Sequence, residues 1–146
     1  DQRLAFSREK LGVSHTINAI KDPVTERLAE ITQGDMAEVV IDATGNLKAI
    51  NGAFPYIAHG GRYVLIGLQK GDVSFSHPEF HKREATLMSS RNATREDFMQ
   101  VIKALKQGRV DPKTYITHRV TFEQVTDEFP RWLDPAYGVI KAMVEI

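Results

Sequence analysis

Two stretches join a run of β-branched residues to a glycine, and they are where this sequence could hold a ligand: VVIDATGN at 39–46 and YVLIGL at 63–68. In an open parallel sheet, ligands bind beyond the carboxyl ends of the strands, where loops diverge and helix amino termini aim free N–H groups outward. Gly45 and Gly67 would let backbone approach a flat or charged molecule. Glycines in such loops more often serve turn geometry alone. The chain has no GxGxxG and no P-loop; if the fold is dinucleotide-binding, its phosphate-binding turn must lie upstream of Asp1. Asp1 itself, with no strand before it, reads as a helix-start residue.

Other chemistry is thinly represented. There are five histidines and no cysteine, which removes thiol catalysis, disulfides and thiolate-bound zinc from these residues. His15, His59, His77, His81 and His118 form no HxxxH or HExxH pair on one helix; His77 and His81 are interrupted by Pro78 and have no nearby third ligand. No metal site is expected. His118 reads as a packed or capping residue, and residues 80–84 (FHKRE) as a solvated charged face.

The elements that would position these residues follow from pattern. A helix over 3–11 should stop at Gly12, and a short strand is expected at Thr16 and Ile17. Asp22 before Pro23 predicts a capped helix start, with Val24, Leu28 and Ile31 on one face. Residues 38–41 and 63–66 read as strands covered on both faces. Between them a helix over 47–57, disturbed by Pro55, should end at Gly60 and Gly61. Residues 73–75 and 86–89 are further candidate strands. Thr94 with Asp97 makes a capping box opening a helix with Phe98, Val101, Ile102 and Leu105 on one stripe, ending at Gly108. Ile116 to Val120 is a strand, Thr121 with Gln124 a second cap, Val125, Phe129 and Trp132 share a helix face despite Pro130, and residues 139–146 close as a strand. The alternation predicts an α/β fold: a partial Rossmann-type parallel sheet with helices on both faces.

Composition bounds the partners. The 146 residues are enough for an ordinary core, with 42% hydrophobic content. Lys plus Arg and Asp plus Glu both total 19, so no net field attracts nucleic acid or an anionic membrane. No apolar run approaches a membrane span, and a cytoplasmic location is the expectation. The helix-like start without an initiator Met suggests a chain that begins inside something larger.

Five segments taken together, VVIDATGN (39–46), HGGRYVLIGL (59–68), SSRNATREDF (89–98), ITHRVTF (116–122) and GVIKAMVEI (138–146), resemble in order the carboxy-terminal portion of zinc-type medium-chain alcohol and polyol dehydrogenases. The sorbitol, threonine and L-galactonate 5-dehydrogenase branch is the most similar. The resemblance implies residues 1–92 as the later part of a dinucleotide-binding domain and 93–146 as a segment completing the catalytic domain. It implies NAD or NADP as cofactor, and zinc held outside this chain. It also implies a small-molecule substrate carrying a secondary alcohol, a polyol or sugar acid, and a homodimer or tetramer in which residues 73–75 pair across the dimer.

Site roles implied by the resemblance can be carried over by position. Arg3 matches a basic residue touching the adenosine ribose; Ala43 and Thr44 match the loop beside adenine. Ile66, Gly67 and Leu68 match the strand end that meets the nicotinamide ribose and carboxamide. Ser90, Arg91 and Asn92 match the turn holding the nicotinamide amide through main-chain groups, and Lys141 a basic position near the pyrophosphate. No catalytic or metal residue is expected within the chain, which alone should be inactive. A bare sheet edge left by missing strands should favour aggregation or pairing. Three rivals stay open at this point: a methyltransferase on a similar sheet, a zinc-independent quinone-reductase-like member, and a non-catalytic nucleotide-binding or oligomerisation module.

Overall fold

The computed structural model describes residues 1–146, which divide by packing into two units: Ile17–Asn92, and Asp1–Thr16 together with Ala93–Ile146. The first sixteen residues, grouped with the sheet in the sequence reading, thus pack with the later segment.

The first unit is built on three parallel strands in the order β1-β2-β3: β1 (Ala37–Asp42), β2 (Ile57–Leu65) and β3 (Thr86–Ser89). Register places Val40 beside Tyr63 and Leu87, and Ile41 beside Val64 and Met88. Because side chains alternate across a strand, Val40 and Tyr63 share the core face and Ile41, Val64 and Met88 the other. The core lies on the first face: Tyr63 and Ile57 are fully buried, with Ala53 and Phe54 against them. Phe54 meets the Tyr63 ring edge-on at 5.1 Å and stacks on Phe75 at 4.4 Å. On the opposite face Val39 and Ile41 are 50% and 59% exposed and Met88 47%, so β1 is not covered on both sides within this unit, contrary to its continuous apolar run.

Several boundaries differ from the pattern reading. The strand expected at Thr16 and Ile17 is absent. The next helix, Val24–Ile31, is capped by Pro23, and Asp22 instead accepts from the Asn18 amide at 2.9 Å, closing a local turn. The helix after β1 stops at Gly52, and Pro55 heads a separate 3-10 turn (Phe54–Tyr56) rather than kinking a longer helix. Gly60 and Gly61 lie within β2: the register jumps from Ala37↔Ile57 to Val39↔Arg62, so these glycines form a bulge. Gly60 sits at φ 69, and its amide donates to the Arg83 carbonyl at 2.7 Å. The Arg83 guanidinium in turn donates to the Ile57 carbonyl at 3.1 Å, clamping the bulge from the end of the short helix His77–Lys82. Residues 73–75 form no strand; Phe75 is drawn instead into the aromatic stack on Phe54.

The second unit holds the helix Gln2–Leu11, ended by Gly12 at φ 67, and the helix Arg95–Lys106. The latter opens on the full Thr94–Asp97 capping box, and its Phe98, Val101, Ile102 and Leu105 stripe is exposed. Two parallel strands, β4 (Ile116–Thr121) and β5 (Lys141–Glu145), flank the helix Val125–Trp132, in which Pro130 is accommodated. His118 packs as expected, its ring 4.9 Å from Tyr137 and its Nδ1 2.9 Å from the Thr117 hydroxyl.

Candidate functional site

The carboxyl ends of β1 and β2 are locked together by one residue. Asp42, the last of β1, is 6% exposed, and its main-chain carbonyl accepts from the Ile66 and Gly67 amides at 2.8 and 3.0 Å. Its carboxylate faces the turn that follows: Oδ1 accepts from the Thr44 and Gly45 amides at 3.1 and 3.2 Å, and Oδ2 from the Thr44 hydroxyl at 2.7 Å. The Thr44 hydroxyl also accepts from the Asn46 amide at 3.1 Å, and Asn46 caps the next helix (Leu47–Gly52) by accepting from Ala49 at 3.1 Å. Donors that could have pointed at a ligand are therefore spent internally. A buried carboxylate occupies the position in which an outside anion would sit, so this tip is no anion cradle.

The two glycines have a structural explanation. A Cβ on Gly67 would lie 2.3 Å from the Gly45 nitrogen and 2.8 Å from its Cα, and one on Gly45 would lie 2.9 Å from the Leu68 carbonyl oxygen. Backbone meets backbone here, which only glycine permits, and Gly45 in addition has φ 60. The glycines thus bring the tips against each other rather than against a bound molecule.

Beside this joint opens a cleft of about 640 Å³, within the range that holds a small molecule. Ile66, Gly67 and Leu68 line it together with Ser90, Arg91 and Asn92. The Ser90 amide donates to the Leu65 carbonyl at 2.9 Å, and Asn92 reverses the chain at φ 60. Six of the ten residues singled out in the sequence therefore share one wall. Ala43 and Thr44 adjoin it through the Gly45–Gly67 contact, the Thr44 hydroxyl being turned inward. Arg3 and Lys141 belong to the other unit: Arg3 borders a separate pocket with Gln2, Phe6, Thr117 and Gly138, and Lys141 opens β5. Sequence reasoning missed Asp42, although an acidic residue ending a β-branched run was a visible signal.

Burial, then the neighbouring Asp42 carboxylate and Tyr56, raise the Tyr63 phenol to about 12, and its hydroxyl donates to the Ile50 carbonyl at 3.1 Å. It stays neutral and structural. The His77 and His81 rings lie 5.7 Å apart, but no group of three or more His, Cys, Asp or Glu side chains could hold a metal ion. The residues present do not fit a zinc centre.

Residues 1–107 match the family described as zinc-binding dehydrogenase. This chain belongs to that family. Among the relatives of this chain, L-galactonate-5-dehydrogenase of Escherichia coli K12 is 46% identical over 111 residues, covering 76% of this chain and 33% of the relative. Sorbitol dehydrogenase of Halalkalibacterium halodurans is 24% identical, covering 97% and 39%. In three dimensions, a short chain alcohol dehydrogenase from Escherichia coli CFT073, solved complexed with cofactor NADH, superposes with a TM-score of 0.88 at 26% identity, covering all of this chain and 42% of that one. The chain spans about a third to two-fifths of the length of the relatives it matches.

Proposed function

We propose that this chain is the later part of the cofactor domain, with a segment of the catalytic domain, of a nicotinamide-dependent oxidoreductase acting on a secondary alcohol of a polyol or sugar acid. The observation that carries the reading is the cleft beyond the carboxyl ends of three parallel strands, in a chain of this family. Its walls are mixed, with Leu65, Ile66, Leu68 and Val73 apolar and Ser89, Ser90 and Asn92 polar, the composition that suits a flat heterocycle edged by an amide. NAD or NADP, when bound, would supply the hydride acceptor. The residues of this chain hold and orient it: Ile66 to Leu68 give a wall fixed by the Asp42 carbonyl, and Ser90 to Asn92 a turn tied to Leu65. Leu68, 94% exposed in this structure, is free to cover the ring and exclude water.

We assign 1–92 to the dinucleotide-binding domain and 93–146 to the catalytic domain; the packing division after Asn92 supports the boundary there, whereas residues 1–16 pack with the later segment. Arg3 and Lys141 keep their proposed ribose and pyrophosphate roles on resemblance alone. Zinc, where the complete enzyme uses it, is held by residues other than these. No helix is long and apolar enough to cross a membrane. A cytoplasmic location is part of the proposal, and so is a homodimer or tetramer, which the uncovered Val39, Ile41 and Met88 face supports.

Titration of the intact protein with NADH, followed by the reduced nicotinamide's fluorescence, tests the reading. Saturable enhancement reversed by NAD is expected. No binding at millimolar concentrations of NADH and NADPH would overturn it.

A further inference from the structure

The cleft wall that follows β2 is a short strap. Ile66, Gly67, Leu68, Gln69 and Val73 all line the cleft, yet residues 66–76 belong to no helix or strand. The strap is fastened along its length by hydrogen bonds. At its start the Ile66 and Gly67 amides donate to the Asp42 carbonyl. In its middle the Gln69 carboxamide closes on Gly71, accepting from the amide and donating to the carbonyl. At its far end Asn51 holds Ser74: the Asn51 Nδ2 donates to the Ser74 hydroxyl at 3.3 Å, and the Ser74 amide donates to the Asn51 Oδ1 at 3.1 Å. The Gln69 bonds are internal and fix the shape of the strap, not its place. The Asn51 pair reaches across 23 residues and ties it to another element.

That element is anchored in the core. Asn51 belongs to the helix Leu47–Gly52, whose Ile50 is 1% exposed and accepts the Tyr63 hydroxyl at 3.1 Å through its carbonyl. Leu47 of the same helix packs on the strap at Gly71, where a Cβ would come 2.8 Å from the Leu47 Cδ2. A segment outside regular structure keeps its freedom unless contacts remove it, and freedom lost only on binding weakens affinity. We infer that Asn51 is a positioning residue for the nicotinamide cofactor: through Ser74 it extends the order of the core to the strap, so that Leu68 and Val73 stand at the cleft before the cofactor arrives. Asn51 does not line the cleft and acts only through Ser74. This deepens, and rests on, the oxidoreductase reading above. Without the tether the free protein samples more strap positions, and the apparent dissociation constant rises as the binding-competent fraction falls. The bound state, with the strap laid against the cofactor, is unchanged.

The test titrates NADH, or NADPH where that binds more tightly, into the intact protein and its Asn51→Ala, Ser74→Ala and Asn51→Asp variants, read by nicotinamide fluorescence. Asp111→Ala is the control: Asp111 belongs to the other packing unit and caps the turn Pro112–Thr114 by accepting from the Lys113 amide at 3.0 Å. Asn51→Ala removes both bonds to Ser74 and should raise the dissociation constant about 5- to 20-fold, water replacing part of what is lost. Ser74→Ala keeps the amide bond and should raise it about 3-fold. Asn51→Asp, whose carboxylate can accept from both the Ser74 amide and hydroxyl, should stay within about 2-fold of wild type, as should Asp111→Ala. Emission at saturation should match wild type throughout, because the bound state is the same. A change below about 2-fold in Asn51→Ala would overturn the inference, as would an aspartate variant as weak as the alanine one or an equal loss in Asp111→Ala. Reduced emission at saturation would also overturn it, since the wall itself would then be damaged. Should Asn51→Ala fail to fold, Ser74→Ala decides, and a change below about 1.5-fold there sinks the idea. Wild type that binds the nucleotide while the variants bind equally well removes the inference alone; wild type that binds neither NADH nor NADPH removes the oxidoreductase reading and the inference with it.

Discussion

Replacing Asp42 by alanine removes three hydrogen bonds in one step and leaves the Asp42 main-chain carbonyl in place. The lost partners are the Thr44 amide at 3.1 Å, the Gly45 amide at 3.2 Å and the Thr44 hydroxyl at 2.7 Å. A hydrogen bond to a charged group contributes about 1.5–3 kcal/mol, but Thr44 is exposed and Gly45 half-buried, so water replaces part of what is lost. The expected destabilisation is therefore roughly 2–4 kcal/mol, below the sum of three such bonds. Asp42→Asn keeps one oxygen for the two amides and should cost about 1–1.5 kcal/mol, with Thr44→Val similar. Urea unfolding of the intact protein gives these differences. Hydrogen exchange adds a local check: the Thr44 and Gly45 amides should exchange faster in Asp42→Ala, while Ile66 and Gly67, bonded to the retained carbonyl, stay protected. An alanine variant within about 0.5 kcal/mol of wild type would refute the joint as described, and so would an asparagine variant as damaged as the alanine one.

Three further outcomes follow from the same geometry. Gly67→Ala puts a Cβ 2.3 Å from the Gly45 nitrogen and should cost about 1–3 kcal/mol and weaken NADH binding, whereas Gly52→Ala, with nothing within 4 Å, should stay close to wild type in the same melts. The Tyr63 phenol is raised in the fold to about 12, so its neutral form is favoured there; its contribution is complete below the ordinary value near 10 and is lost as pH rises toward 12. That window amounts to roughly 2–3 kcal/mol, and Tyr63→Phe should flatten the alkaline limb of a stability-pH curve. The Asp97 carboxyl is held below its ordinary range by the Thr94 amide and then the Thr94 hydroxyl. Its contribution is present above the unfolded value and is lost as pH falls through the lowered folded one. Helix 95–106 should therefore fray first in acid, and Asp97→Asn should remove that dependence as read by amide exchange at Thr94.

Local chemistry was legible wherever a residue acts on its own neighbours. The Thr94–Asp97 box, the Thr121–Gln124 box and the left-handed Gly12 all follow from side-chain reach along a few residues. What pattern could not resolve depends on partners far along the chain. Gly60 and Gly61 resemble a helix stop, yet the Arg83 carbonyl and guanidinium, more than twenty residues on, hold them as a bulge within β2. Phe75 sits in an alternating stretch that fits an edge strand, and aromatic stacking on Phe54 takes it elsewhere. Six site positions gathered on one cleft wall because the ends of β2 and β3 are neighbours in the sheet, whereas Arg3 and Lys141 rest on likeness to relatives.

Asp42 also changes what kind of ligand the tips can accept. In many strand-turn-helix junctions the first free amides of the turn are the binding feature, and a phosphate fills them. Here a buried carboxylate belonging to the protein fills them, and an outside phosphate at the same spot would meet its negative charge. Recognition beside this joint must then come from the rest of the cleft wall: apolar surface at Ile66 and Leu68, suited to the face of a ring, and the polar turn at Ser90 to Asn92, suited to an amide. A strand tip closed on itself is rigid and uncharged toward the cleft.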